Sequence, residues 1–137
     1  MRRVLVHTGP LVALVDPKDR LHARATRELD RLKGPLCVGL PVLTEAHFLL
    51  GAAHLRRRVT ALFEAEVLRL DAPDRPDLVT LRALEWLAHH AEHAPDFTDG
   101  FLVAWAEREA LAIWTFEREF STVWRTLAGK QVRLAAK

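Results

Sequence analysis

The sequence contains no asparagine and no tyrosine, a single glutamine, one methionine and one cysteine. A lone cysteine excludes an internal disulfide, and Cys37, inside the apolar run LCVGL, reads as a small core residue rather than a nucleophile. Long apolar runs are missing too: none reaches the roughly 18 residues of a membrane span. Pro10 and Asp16 closely follow the first apolar run, which does not fit a signal peptide. Together these absences lead us to expect a soluble, cytoplasmic protein with no membrane partner. The shortage of labile residues is a feature of heat-adapted proteins. A GC-rich genome would enrich Arg, Ala, Leu and Gly equally well, so both origins stay open.

What is present suits one domain. The 137 residues are 50% apolar, enough to fill one core, and a single domain over 1–137 is expected. The formal charge is only +2, yet Arg supplies 16 of the 20 basic residues. A guanidinium matches phosphate geometry better than an ammonium does, which points toward nucleic acid.

Short apolar segments alternate with helical patterns. Val4 to Val6 reads as a first strand, ended by His7. Leu11 to Val15 is expected to make a short helical turn, and DPKDRLHARATRELDRLKGP a polar helix closed by Gly34-Pro35. Leu36 to Val38 reads as a second strand, and Pro41 opens a helix through PVLTEAHFLLGAAHL. A third strand falls near Val67 to Leu70, before the turn cluster DAPDRP. Leu78, Leu81, Leu84, Leu87, Ala88 and Ala91 recur at helical spacing, so an amphipathic helix is predicted from Asp77 to about His93. Another helix is predicted from about Asp99 to Glu109, a fourth strand at LAIWTF and a fifth at QVRLA. Such alternation implies an α/β fold with a central, mainly parallel sheet of four or five strands covered on both faces. Sites in these folds lie beyond the carboxyl ends of the strands. That rule selects His7, the helix bearing Glu45, and Thr115-Phe116-Glu117.

Carboxylates stand at these places. On the helix opened by Pro41 the apolar stripe is Val42, Ala46, Leu49, Leu50 and Ala53, and Glu45 lies on or at the edge of it. A first-turn Glu favoured by the helix dipole is the alternative. Asp99 shares a face with Leu102, Val103, Ala106 and Ala110. Asp96 and Asp99 also have the spacing of a capping pair, which is compatible with metal binding. Gly100 leaves room beside Asp99 for a ligand or a backbone. Judged alone, Glu117 reads as a solvated charge in FEREF. Taken jointly, acids brought to one sheet edge would repel unless a cation neutralised them. Oxygen donors favour Mg²⁺ or Mn²⁺, and such a cluster activates water for phosphodiester hydrolysis.

The ordered set VLVHTGPLVAL, LTEAHFLL, DFTDGFLVAWAE and TFEREF resembles the PIN-domain nucleases, particularly the VapC-type toxins of toxin–antitoxin pairs. The resemblance spans nearly the whole chain. It implies a PIN-like α/β/α sandwich, a Mg²⁺- or Mn²⁺-dependent endoribonuclease acting on RNA, a homodimer, and inhibition by a small antitoxin that fills or blocks the acidic groove. Carried onto this chain, Glu45 and Asp99 match the second and third acids and Asp96 an additional one. Glu117 stands at the fourth position, usually Asp. Thr8 and Thr115 are placed to orient a ligand water or a carboxylate.

His7 departs from the pattern, because the family's first Asp, a direct metal ligand, belongs at that position. Imidazole offers one lone pair and no negative charge, so His7 should weaken Mg²⁺ binding while still accepting a softer ion through one nitrogen. A catalytically silent domain that binds RNA or protein, an altered metal preference and an engineered change are the three readings. Elsewhere, His89 and His93 have a metal-compatible i, i+4 spacing but lack a third ligand, so a solvated face is the simpler expectation. Arg56-Arg57-Arg58 suit RNA phosphates or an acidic partner, with a solvated loop or helix end as the equal alternative. Trp86, Trp105, Trp114 and Trp124 read as core or subunit contacts.

Overall fold

The computed structural model describes residues 3–136. Strands β1 (Val4–Val6), β2 (Leu36–Val38), β3 (Leu68–Leu70) and β4 (Ala112–Trp114) form one sheet in the order β3-β2-β1-β4. Every pair is parallel, with Leu5 opposite Cys37 and Ile113, and Cys37 opposite Arg69. Parallel neighbours need crossovers, and helices supply them: α1 (Thr8–Val15) and α2 (His22–Arg31), α3 (Leu40–Leu50) and α4 (Ala53–Glu64), then α5 (Pro76–His89) and α6 (Phe97–Glu109). A short α7 (Glu119–Thr122) follows β4. The result is the expected α/β layering, with helices flanking a parallel sheet.

The central strands β1 and β2 are buried along their whole length, which explains their uninterrupted apolar sequence. Helix α6 is buried continuously from Thr98 to Ala106, so it has no polar face. Gly100 serves its packing: a Cβ there would meet the Ala83 carbonyl at 3.1 Å and the Trp86 ring at 3.2 Å, so the space beside Asp99 belongs to α5 and not to a ligand. All four tryptophans are buried, as expected of core residues. Cys37 is 1% exposed, and burial pushes its thiol up to about 11, with the nearby Asp71 charge adding to the effect. Such a thiol is inert at neutral pH.

Several expectations need correction. Helix α1 begins at Thr8, directly after the strand, and α6 begins at Phe97, because Asp96 caps it. The predicted helix ending near His93 stops at His89 and continues as a 3₁₀ turn over Ala91–His93. Its buried face is Val79, Ala83 and Trp86, while Leu81 and Leu84 are exposed, because the close approach of α6 at Gly100 selects Ala83 and Trp86. On α3 the buried stripe is Val42, Ala46 and Leu50; Leu49 is turned out, and Ala53 belongs to α4. The fifth strand does not form. Gln131 bridges Arg125 antiparallel across the turn through Gly129, whereas Leu134 bridges Ile113 parallel, so the two ends of the segment take different partners.

Gly39 ends β2 and caps α3, the helix that carries Glu45. A Cβ on it would lie 2.8 Å from the fully buried Trp105 ring. Gly39→Ala is therefore expected to destabilise the protein by about 1–3 kcal/mol, the usual range for overpacking, measured by urea unfolding.

Candidate metal centre

The chain order places β2 and β3 on one side of β1 and returns to the other side for β4. The crevice beyond the carboxyl ends of β1 and β4 is thus a topological switch point, where α/β proteins bind ligands. His7 follows β1 there and Thr115 follows β4. His7 is the N-cap residue of α1 but makes no side-chain cap, so its ring is available for other contacts.

Asp99 arrives from α6. Its amide N–H donates to Asp96 Oδ1 at 2.9 Å, and Asp99 Oδ2 accepts from the Asp96 amide at 3.0 Å, the reciprocal capping box that the spacing suggested. Oδ1 remains. It is buried, and it is the only side-chain oxygen among the described residues that is buried without a hydrogen-bond partner. His7 Nε2 stands 3.2 Å from it, within ion-pair distance but without hydrogen-bond geometry. His7 and Asp99 are 2% and 4% exposed. A donor atom from each of His7, Asp99 and Glu117 falls within 4.8 Å of the others.

Two threonines organise this cluster. Thr8 Oγ1 donates to Glu45 Oε1 at 2.6 Å, fixing a half-buried carboxylate beside it. Thr115 Oγ1 lies 2.8 Å from His7 Nδ1 and accepts the Glu117 amide N–H at 3.1 Å. The edge of Phe120 closes the other side of the imidazole, with ring centroids 5.1 Å apart. This contact has no signature in the residue pattern, because Phe120 lies on α7, an element too short to show periodicity.

Burial pushes the Asp99 carboxyl above its ordinary value; His7 and the Asp96 amide oppose that shift, and the Asp96 charge adds to it. Glu117 sits at the rim, partly in water. Protein packed around its carboxylate nevertheless pushes it up to about 7, against His7 and with the Asp99 and Asp96 charges assisting. Carboxylates raised chiefly by burial resist ionisation, and a bound cation offsets that cost.

The residues fit a divalent ion. Donors coordinated side by side at roughly 2.0–2.2 Å stand about 3 Å apart, close to the His7–Asp99 separation, and the unpartnered Oδ1 faces that position. His7, Thr8, Glu45, Asp96 and Glu117 line one open groove of about 570 Å³, with Phe48 and Leu49 on its edge. Glu45 and Asp96 border the three-residue cluster without joining it. Arg56, Arg57 and Arg58 lie on α4 and do not line this groove; Arg56 borders a separate groove between α3 and α4. His89 donates from Nδ1 to the Glu85 carbonyl and shares in no metal-compatible cluster among the described residues.

This sheet order and its flanking helices constitute a PIN-like fold. Among solved structures the chain is similar to Mycobacterium tuberculosis VapC20, described as a sarcin-ricin loop cleaving toxin, at 24% identity and a TM-score of 0.69, covering 83% of this chain and 89% of that one. It is also similar to FitAcB from Neisseria gonorrhoeae, at 16% identity and a TM-score of 0.56, over 83% and 87% of the two chains. FitAB bound to an IR36 DNA fragment gives 16% identity and a TM-score of 0.57, over 82% and 83%. No protein-family model matches the sequence, and no curated protein gives a significant match.

Proposed function

We propose that this chain is a divalent-metal-dependent endoribonuclease of the VapC toxin type. The observation that carries the reading is the buried Asp99 Oδ1, which makes no hydrogen bond and lies 3.2 Å from His7 Nε2, in a cluster of donor atoms completed by Glu117 at the switch point. A bound divalent cation, Mg²⁺ or Mn²⁺, would supply water activation and charge neutralisation at the scissile phosphate. Asp99 and Glu117 would hold it, with Glu45 bordering them on the groove wall. Asp96 fixes the Asp99 carboxylate through the capping box, Thr8 fixes Glu45, and Thr115 fixes both His7 and the backbone of Glu117.

The RNA path is best supported on the α2–β4 side. Arg24, Arg118 and Arg133 line a groove of about 670 Å³ that shares Phe116 and Glu117 with the acidic one. The Arg24 guanidinium lies 4.4 Å over the Phe116 ring and donates to Glu28, so it is held in place. A strand crossing Glu117 would pass from one groove into the other, its phosphates beside these arginines. Arg118→Ala is expected to weaken RNA binding similarly for all sequences and reduce the salt slope of the binding constant by about 1, read by fluorescence anisotropy. Arg56, Arg57 and Arg58 serve as the comparison variants.

We further propose a small antitoxin as partner, a homodimer as the assembly and the cytoplasm as the location. Phe48 and Leu49, 80% and 64% exposed at the groove edge, would be covered by an antitoxin segment. Leu81 and Leu84 offer apolar area for a second copy. Among the described residues no helix is long and apolar enough to cross a membrane.

Product chemistry tests the reading. Attack by water leaves a linear phosphate monoester that takes one oxygen from the solvent, and ¹⁸O-labelled water would mark it. Divalent-dependent cleavage with ¹⁸O incorporation is expected. A 2′,3′-cyclic phosphate, or cleavage unaffected by EDTA, would contradict it. A second reading, a silent module that binds RNA or protein, is favoured by one observation, the imidazole already seated against Asp99. RNA affinity without turnover in any divalent ion would select it.

A further inference from the structure

We infer that His7 Nε2 is a metal ligand and that the site takes a first-row transition-metal dication in preference to Mg²⁺. The inference rests on the metal-dependent site proposed above and specifies which ion that site selects.

His7 is built into the site rather than placed loosely beside it. Its amide N–H donates to the Trp114 carbonyl at 2.9 Å, its ring is buried, and Phe120 closes one side. The imidazole therefore keeps its direction. Nδ1 faces Thr115 Oγ1, which has lone pairs for both Nδ1–H and the Glu117 amide. With the proton on Nδ1, Nε2 presents its lone pair toward Asp99 Oδ1, 3.2 Å away and without a hydrogen-bond partner. In that tautomer a cation between Nε2 and Oδ1 takes up both lone pairs; in the other, Thr115 Oγ1–H donates to Nδ1 and Nε2–H points at the carboxylate. A histidine ligand whose other nitrogen is held by a fixed polar group is the usual arrangement in metal sites.

The donor types decide the ion. Mg²⁺ gives up its water reluctantly and takes oxygen ligands, whereas imidazole suits Mn²⁺ through Zn²⁺ with rising affinity along the first-row series. One nitrogen with carboxylates from Asp99 and Glu117 shifts the site away from Mg²⁺.

The test is calorimetric titration of the full chain with Mg²⁺, Mn²⁺ and Zn²⁺, together with pulsed electron paramagnetic resonance of the Mn²⁺-loaded protein. Mn²⁺ is expected to bind at least about tenfold tighter than Mg²⁺, and Zn²⁺ tighter still. The Mn²⁺ signal should show coupling to ¹⁴N. His7→Asp should lose that coupling and narrow the Mn²⁺:Mg²⁺ ratio, and Thr115→Val should weaken Mn²⁺ binding about tenfold. Absence of ¹⁴N coupling in the unmodified protein, or an unchanged ion ratio in a folded His7→Asp variant, would overturn the inference while leaving the acidic site in place. If Asp99→Asn left all ion binding unaltered, both this inference and the metal-dependent reading would fall. The coupling measurement needs no variant, so it decides the matter even where a substitution prevents folding.

Discussion

Replacing Asp99 by Asn is expected to lower divalent-dependent RNA cleavage by more than about 100-fold, since losing even an outer partner of a metal ligand costs about 10- to 100-fold. The same variant should fold at least as well as the parent when no metal is present. Asp99 Oδ1 is buried without a hydrogen-bond partner, and burial raises its carboxyl above the ordinary value, so its charge opposes folding in the apo protein. Asn keeps an oxygen to accept the Asp96 amide, and the capping box survives in part. Lost activity with undiminished thermal stability is the signature of a residue kept for chemistry. A purely structural Asp99 would show the reverse, a lower melting temperature with cleavage reduced only in proportion to unfolding. Cleavage assays and thermal melts on the same samples separate the two.

Stability should also change its pH dependence when metal binds. Glu117, ordinarily near 4.5, is raised to about 7 in the folded chain, and Asp99 is raised as well. A carboxyl with a folded value above its unfolded one holds more protons in the native state. Its contribution is therefore most favourable at low pH and is lost as pH rises through the raised value. In EDTA the protein is expected to melt at a higher temperature near pH 5 than near pH 8, with the slope reduced in Glu117→Gln. Saturating divalent ion should reverse this trend, because it binds the ionised carboxylates. Ion at 100 times its dissociation constant adds about 2.7 kcal/mol, on the order of 10 °C in a domain of this size. Scanning calorimetry from pH 5 to 8, with and without Mn²⁺, checks both slopes.

Much of this was legible in the sequence where the physics is local. The buried strands at Val4–Val6 and Leu36–Val38 and the Asp96–Asp99 capping box depend on near neighbours, and each forms where the residues suggested. Helix faces were less legible. Val79, Ala83 and Trp86 are buried instead of Leu81 and Leu84 because Gly100 on a different helix lets Ala83 and Trp86 approach. QVRLA alternates like a strand, yet its two ends find separate partners. At the site, the acids were visible as charges at element ends. Their division into a cluster of His7, Asp99 and Glu117 bordered by Glu45 and Asp96 was not, since side-chain reach across the switch point is a tertiary property. The grooves that meet at Phe116 and Glu117 likewise bring together residues more than 100 positions apart, from Arg24 to Arg133.

The central claim, RNA cleavage by a metal-dependent site at the switch point, is tested most directly by incubating labelled RNA with this chain and its His7→Asp variant in Mg²⁺, in Mn²⁺ and in EDTA. The expected result is cleavage by the unmodified chain in Mn²⁺ that exceeds its cleavage in Mg²⁺, a gain in Mg²⁺ for His7→Asp, and none from either in EDTA. Intact RNA in every lane, with both proteins folded, would contradict it.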